Sequence, residues 1–147
     1  YSYVANAKKA GLLIHACYMV GNNGETKETM QQTLELALKL NTDTAQFFPL
    51  IPYPGTEAYD WAYENGYIEL DYEKYCQPDG THNTVLSMPH LTAQEMVDFC
   101  NMARKKYYLR PRYILHRLYV GLTDFSDLKR SLKAFGKLKQ YLFSKKR

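Results

Sequence analysis

Apolar positions in the first half of the chain follow two different spacings. Two continuous apolar runs, residues 12–20 and 44–53, are rich in strand-forming residues. Between them, apolar residues recur every three or four positions, as on one side of a helix: Met30, Leu34, Ala37 and Leu38. Continuous apolarity without alternation is typical of a strand covered on both faces, as in a parallel sheet. The pattern over residues 11–66 therefore predicts strand, helix, strand and helix, with a right-handed crossover.

Glycine, asparagine and proline mark where these elements end. Gly11 follows a short stretch with helical spacing, 2–10, and is predicted to cap that helix. Asn41 is predicted to cap the next one. Pro49 has no N–H for a sheet ladder, so we predict that the second strand ends near Phe48.

A single strand–helix–strand unit cannot cover both faces of its own sheet, so further strands are expected upstream. The chain starts "YSYVANAKKAG", without an initiator Met or the plan of a signal peptide. We therefore expect it to be a fragment of a longer protein. The first strand would then have an unpaired edge, which predicts self-association of the fragment.

The second half is predicted to be irregular and then helical. Thr92 and Glu95 form a capping box, and Leu91 and Met96 stand where a hydrophobic staple would place them. A further helix is predicted to begin near Pro111. It would end at Gly121, and a last amphipathic helix would follow, marked by Leu128, Leu132, Phe135, Leu138 and Leu142. The predicted division is an α/β part over 1–70, an irregular connection over 71–91 and a helical extension over 92–147.

Composition narrows the class of protein. The 147 residues are 46% apolar, which predicts one folded domain and excludes a disordered chain. No apolar stretch approaches the ~20 residues needed to span a bilayer. Cys17, Cys76 and Cys100 are too far apart for a disulfide framework or a self-contained zinc or iron–sulfur site, so no metal ligands are predicted. Free thiols indicate a reducing compartment, and we expect the cytoplasm.

The net charge of +4 is unevenly distributed. Residues 128–147 carry eight Lys/Arg and no Asp/Glu, whereas the remainder carries eleven against fifteen. A basic tail can hold nucleic acid or anionic lipid, although such runs are more often solvated helix faces. Tyr107, Tyr108 and Tyr113 lie among basic residues and could stack bases, but they also match a helical packing stripe. Packing is favoured, and nucleic acid is an unlikely partner.

The polar corner "GNNGET", residues 21–26, joins the first strand to its helix. Ligands of α/β folds bind outside the carboxyl ends of the strands, and a helix N-terminus offers backbone N–H groups there. Glu25 disfavours a phosphate, so a neutral or cationic ligand is expected: an amino group, a sulfonium or an adenine edge. No Lys-Ser/Thr pair follows the glycines, which excludes a P-loop. A simple connecting turn remains the alternative.

A second shaped loop, "PYPGT", follows the second strand. Pro52 and Pro54 fix the backbone, Gly55 permits a positive φ, and Thr56 can cap the next helix. Both loops lie at the same end of the predicted sheet, which suggests a shared site.

These motifs resemble those of a known family. The stretch "GNNGETKETMQQTLELALKLNTDTAQFFPLIPYPGTEAYDWAYENGYI" resembles the second half of the radical S-adenosylmethionine (SAM) barrel, in the group that also carries an N-terminal cobalamin-binding domain. In that group a helix ending in AG leads to a strand ending in M-x-G-x-P-G-E-T, and the next strand runs into P-Y-P-G-T. The segment "ARKKYYLRPRYIL" is similar to the helix after the barrel. Asn23 departs from the family's proline.

The resemblance implies a fold and a chemistry. The fold would be α/β, the C-terminal part of a partial (β/α)6 TIM-like barrel with about two parallel strands, followed by an α-helical extension. The chemistry would be reductive cleavage of SAM by a [4Fe–4S] cluster, giving a 5′-deoxyadenosyl radical that acts on a small-molecule substrate, with cobalamin as a candidate further cofactor. The chain lacks the CxxxCxxC loop that holds the cluster in this oxidoreductase family. It would therefore need the upstream half of its own barrel and is expected to be inactive, without tightly bound cofactor, by itself.

The resemblance also assigns site residues. The residues expected to contact SAM are Val20, Gly21, Gly24, Glu25, Phe48, Leu50 and Ile51. No catalytic residue is assigned. His15 and Cys17 alternate on one face of the first strand and would line the barrel's interior, with His15 expected to be a hydrogen-bonded interior histidine. The alternative hypothesis is a non-catalytic module that binds RNA or an acidic partner through its basic Tyr/Arg-rich helices.

Overall fold

The computed structural model describes residues 2–68, 83–123 and 136 of the chain. Its elements, in chain order, are α1 (Ser2–Lys9), β1 (His15–Val20), α2 (Lys27–Leu40), β2 (Thr44–Pro49), α3 (Glu57–Glu64), α4 (Ala93–Tyr108) and α5 (Pro111–Thr123). The chain divides into two compact units, 1–104 and 105–147, and the boundary falls within α4. The fold is α/β, as predicted.

The sheet contains two parallel strands among the described residues, joined by α2. The pairing runs in register from His15 with Thr44 to Val20 with Pro49. Parallel neighbours need a crossover, and α2 supplies it. The predicted order of strand, helix, strand and helix is confirmed.

One face of this sheet is covered and the other is open. Side chains at alternate positions, Tyr18 and Val20 in β1 and Phe47 in β2, are buried, and the rings of Tyr18 and Phe47 stack 5.1 Å apart. The opposite face exposes His15, Cys17 and Met19. Among the described residues, one face of β1 is therefore left uncovered, as expected of a single strand–helix–strand unit that needs further strands.

The first strand is also shorter than its apolar run. Leu12 and Leu13 precede β1 and are 61% and 80% exposed. The Ile14 N–H donates to the Asp43 carboxylate at 2.8 Å, so the chain enters the sheet only after this contact. We refer to the uncovered side of β1 and β2, marked by His15, Cys17 and Met19, as the open face.

The predicted helix ends are confirmed. Gly11 adopts φ +73°, and the Leu12 N–H donates to the Ala7 carbonyl at 3.0 Å, which closes the last turn of α1. Asn41 takes the left-handed conformation at the end of α2. The Lys8 ammonium donates to the carbonyls of Leu40 and Asn41, each at 2.8 Å, and so joins α1 to the C-terminus of α2.

Two boundaries differ from the sequence predictions. Helix α5 continues past Gly121 to Thr123, and β2 includes Pro49 as its last residue. Of the predicted last helix, residues 128–142, the structure describes only residue 136, so this prediction lies largely outside the described residues. The division at 70/71 and 91/92 and the self-association of the fragment stay predictions. Within the described ranges, no helix has the length and apolarity to cross a bilayer.

The burial of the cysteines predicts very different thiol reactivities. Cys17 is exposed on the open face, whereas Cys100 is buried in α4, and burial raises the pKa of its thiol to about 12. We expect Cys17 to react with Ellman's reagent at least ~100-fold faster than Cys100, because the thiolate is the reactive form and needs access. Rates measured on Cys76→Ser/Cys100→Ala and Cys17→Ser/Cys76→Ser variants would test this. Rapid labelling of the second variant while it remains folded would contradict it.

Candidate functional site

The corner between β1 and α2 is stabilised by its own side chains. Thr26 is the N-cap of α2, and its hydroxyl accepts from the Thr29 N–H at 3.2 Å. In return, the Thr29 hydroxyl oxygen accepts from the Thr26 N–H at 2.9 Å. This reciprocal capping box places Glu25 before the first turn of the helix.

Glu25 is buried and organises the corner. Its carboxylate accepts from the Gly21 N–H at 3.1 Å and from the Thr29 hydroxyl. Its own N–H donates to the Asn22 carbonyl at 2.9 Å. Only 9% of the residue is exposed. Four N–H groups of this region, those of Gly21, Glu25, Thr26 and Thr29, are bonded within the corner and are not offered to a ligand.

The two corner glycines are required for different reasons. Gly21 has φ +98°, and a Cβ built there would lie 2.6 Å from the Met96 sulfur. Leu50 and Leu86 would each be 3.6 Å away, so this position admits no side chain without movement. Gly24 has φ +79° and no atom within 4 Å of a built Cβ. Its backbone conformation favours glycine, and the space beside it is open.

The loop after β2 meets this corner. The Leu50 N–H donates to the Val20 carbonyl at 2.7 Å, which continues the strand pairing into both loops. Gly55 adopts φ +85°, and Thr56 caps α3, with its hydroxyl accepting from the Tyr59 N–H at 3.2 Å. The predicted positive φ at Gly55, the Thr56 cap and the location of both loops at the same end of the sheet are confirmed.

A third segment, which the sequence did not associate with the site, covers the two loops. We call residues 84–96 the clasp. The Thr84 hydroxyl donates to the Leu50 carbonyl, the His90 imidazole Nε2 lies 3.0 Å from the Glu25 carbonyl oxygen, and the Met96 side chain lies against Gly21. No local pattern in the sequence marks these contacts, because each partner lies far away along the chain.

The seven residues assigned to SAM lie at the ends of β1 and β2 and in the two loops that follow, and they differ in their exposure to solvent. Val20 and Leu50 are buried, and their side chains belong to the core. Phe48 is half-buried and faces Met19 across the strand register, on the open face, and Ile51 is half-buried as well. Gly24 is exposed, whereas Gly21 and Glu25 are buried. Contact between these residues and SAM stays a prediction.

His15 differs from its expectation in one respect. Its Nδ1 lies 2.8 Å from the Thr44 hydroxyl, so the expected hydrogen bond is present. The residue is exposed rather than interior, because residues 2–68 and 83–123 leave the open face uncovered. Over the described part of the chain, no group of three or more His, Cys, Asp or Glu side chains is arranged to hold a metal ion.

An ion pair joins α2 to the clasp, and it predicts a measurable titration. The Lys27 ammonium lies 2.6 Å from the Glu95 carboxylate, which also accepts from the Thr92 N–H and hydroxyl. The Lys27 hydrogen bond, followed by those of Thr92, lowers the pKa of Glu95 to about 2. A lowered pKa favours folding at pH values above the ordinary Glu range, and that contribution is lost as the pH falls toward 2.

Replacing Lys27 with methionine is expected to raise the pKa of Glu95, which Thr92 would still hold below its ordinary value. Carbon-detected NMR titration of the Glu95 carboxyl measures this shift. Lys9→Met, at an exposed lysine in α1, is the control and should leave the titration unchanged. An unaltered Glu95 titration in Lys27→Met would show that the ion pair does not form in solution.

Comparison with known proteins gives one similarity. Over 117 residues the chain is 31% identical to a protein of Pyrococcus horikoshii described as an uncharacterized methyltransferase. The match covers 79% of this chain and 25% of the relative, so the chain spans about a quarter of that protein's length. No protein-family model matches the chain. No solved structure matches it either.

Proposed function

We propose that this chain is the C-terminal part of a longer SAM-dependent enzyme that transfers methyl groups by radical SAM chemistry, and that the corner and the "PYPGT" loop hold one side of the cofactor. The observation that carries the proposal is the meeting of two glycine-shaped loops at the carboxyl ends of adjacent parallel strands, beside the open face. The description of the Pyrococcus horikoshii relative as a methyltransferase supports SAM-dependent methyl transfer. The radical chemistry rests on the motif resemblance.

The site residues fit the chemistry of SAM. The Glu25 carboxylate disfavours an anion at the corner, and the N–H groups of Gly21, Glu25, Thr26 and Thr29 are already bonded. A carboxylate nearby favours a cationic group such as the sulfonium. The open space at Gly24 lets a ligand approach the backbone, and Phe48 offers a half-buried ring on the open face.

The cluster and cobalamin do not fit this chain. Cys17 is exposed, Cys100 is buried, and Cys76 lies outside the described residues, while the sequence contains no closely spaced cysteine triplet. We propose that other parts of the longer protein hold those groups and that its missing strands pair with the sheet and cover the open face. A reducing cytoplasm suits such an enzyme.

The chain's own contribution is positioning and exclusion of water. Glu25 fixes the corner by accepting from Gly21 and Thr29, and the clasp holds both loops from the other side. Pre-formed loops lower the cost of ordering the protein around a ligand. SAM, when bound, supplies the methyl group or the reactive deoxyadenosyl group.

The test uses the longer parent protein, purified without oxygen. We expect a [4Fe–4S] absorption spectrum, 5′-deoxyadenosine as a product, and measurable SAM binding. Gly24→Ala should weaken SAM binding about tenfold or more, because it fills the space beside the corner. Gly66→Ala is the matched control, since Gly66 also has a positive φ, +68°, and open space but lies after α3.

The outcomes separate the two levels of the proposal. If the longer protein forms S-adenosylhomocysteine and contains no iron–sulfur cluster, the proposal of SAM-dependent methyl transfer stands and the radical mechanism is excluded. If the Gly24→Ala variant binds SAM as tightly as the unsubstituted longer protein, the corner does not contact SAM. A parent that binds no SAM at all would end the proposal.

A further inference from the structure

Helix α5 carries an exposed apolar surface on one side. Ile114, Leu115, Leu118 and Tyr119 are 40%, 66%, 54% and 69% exposed. At about 100° per residue these positions form one continuous arc of roughly 140°. We call this surface the α5 arc. Scattered exposed apolar residues are ordinary, but a contiguous group on one helix face indicates a surface that contacts something.

The charged side chains on α5 have one sign. The helix contains Arg112 and Arg117 and no Asp/Glu, and Asp124 and Asp127 follow it in the sequence. Arg112 and Arg117 lie on either side of the arc, at roughly 20° and 60° beyond its ends on the helical wheel. The surface that meets the arc should therefore be anionic as well as apolar.

The three tyrosines that precede the α5 arc in the chain pack against one another. Tyr107, Tyr108 and Tyr113 pack on one another with ring centres 5.2–5.8 Å apart, and Tyr107 is fully buried. The Arg110 guanidinium lies 4.3 Å from the centre of the Tyr107 ring. Nucleic-acid stacking needs exposed rings, whereas the arc presents mainly aliphatic side chains. These observations favour lipid over RNA.

We propose that α5 binds at the surface of an anionic lipid bilayer. The α5 arc enters the boundary between headgroups and acyl chains, and Arg112 and Arg117 extend to the lipid phosphates. This is the arrangement of an interfacial amphipathic helix with cations on its polar side. The helix has 13 residues, fewer than a span requires, so it lies along the surface. The inference does not depend on the proposed enzymatic function.

The test is flotation of the 147-residue chain with vesicles of phosphatidylcholine alone or mixed with phosphatidylglycerol. We expect binding to the mixed vesicles, little binding to the neutral ones, and release by high salt. Leu115→Ser/Leu118→Ser should reduce the bound fraction at limiting lipid about tenfold or more, because it removes the apolar part of the arc. Leu36→Ser, at an exposed leucine of α2, is the control and should bind as the parent does.

Circular dichroism and thermal melting identify variants that fail to fold. Arg112→Gln/Arg117→Gln offers a second, independent loss of binding that leaves the leucines in place. Unchanged vesicle binding in both double variants would overturn the proposal. So would binding to poly(U) RNA with no binding to anionic vesicles.

Discussion

Replacing Gly21 with alanine is expected to lower the free energy of unfolding by about 2–4 kcal/mol. Part of the loss, about 1–2 kcal/mol, comes from forcing a residue with a Cβ into a positive φ. The rest comes from the Met96 sulfur, which lies 2.6 Å from the position of the new Cβ. A methionine end can move, but Met96 is fully buried and has little room to do so. Urea denaturation measures the change.

Gly24→Ala separates the two contributions. Gly24 has a similar positive φ but open space around it, so its substitution should cost only about 1–2 kcal/mol. A double-mutant cycle with Met96→Ala tests the contact directly, because alanine has no atom in the place of the sulfur. Equal losses for Gly21→Ala and Gly24→Ala would show that the close approach of Met96 does not occur in solution.

Replacing Glu25 with alanine is expected to cost about 2–3 kcal/mol. The carboxylate accepts from the Gly21 N–H and the Thr29 hydroxyl in a buried setting, and its removal leaves both donors without an acceptor. Glu25→Gln should fall between the parent and Glu25→Ala, since its amide oxygen can satisfy one donor while its amino group meets the other. Denaturant titration again measures the loss.

A matched control for Glu25 is available in the same region. Glu35 is an exposed carboxylate on α2, and Glu35→Ala should change stability by less than about 0.5 kcal/mol. If Glu25→Ala and Glu35→Ala lower the free energy of unfolding by the same small amount, the hydrogen bonds of the Glu25 carboxylate do not stabilise the corner. The corner would then be available for the anionic ligands that its present bonding disfavours.

Local patterns predicted the parts of the fold that neighbouring residues determine. Helix α2 follows its apolar stripe, and Asn41 and Thr56 cap helices through contacts only a few residues long. The capping box of Thr92 and Glu95 is present for the same reason. Such elements depend on spacing and side-chain chemistry that a sequence displays directly.

The remaining features depend on residues far apart in sequence. The clasp reaches Glu25 from His90 and Leu50 from Thr84, and no local signal announces such partners. The placement of Glu25 before the helix followed from Thr26 taking the cap, a choice between two adjacent polar residues. The sequence indicated that the sheet needs a further cover, but an apolar run records only the need for burial and not the identity of the covering segment.

The contact between Gly21 and Met96 has a kinetic consequence. These residues are separated by most of one unit, so the chain must close a long loop before they meet, and loop closure costs entropy before the contact repays it. Helices such as α2 can form early through local interactions, whereas the clasp completes the corner late. We therefore expect corner mutations to accelerate unfolding far more than they slow refolding. The corner and the "PYPGT" loop would also be among the first parts of the chain to exchange their amide hydrogens with solvent.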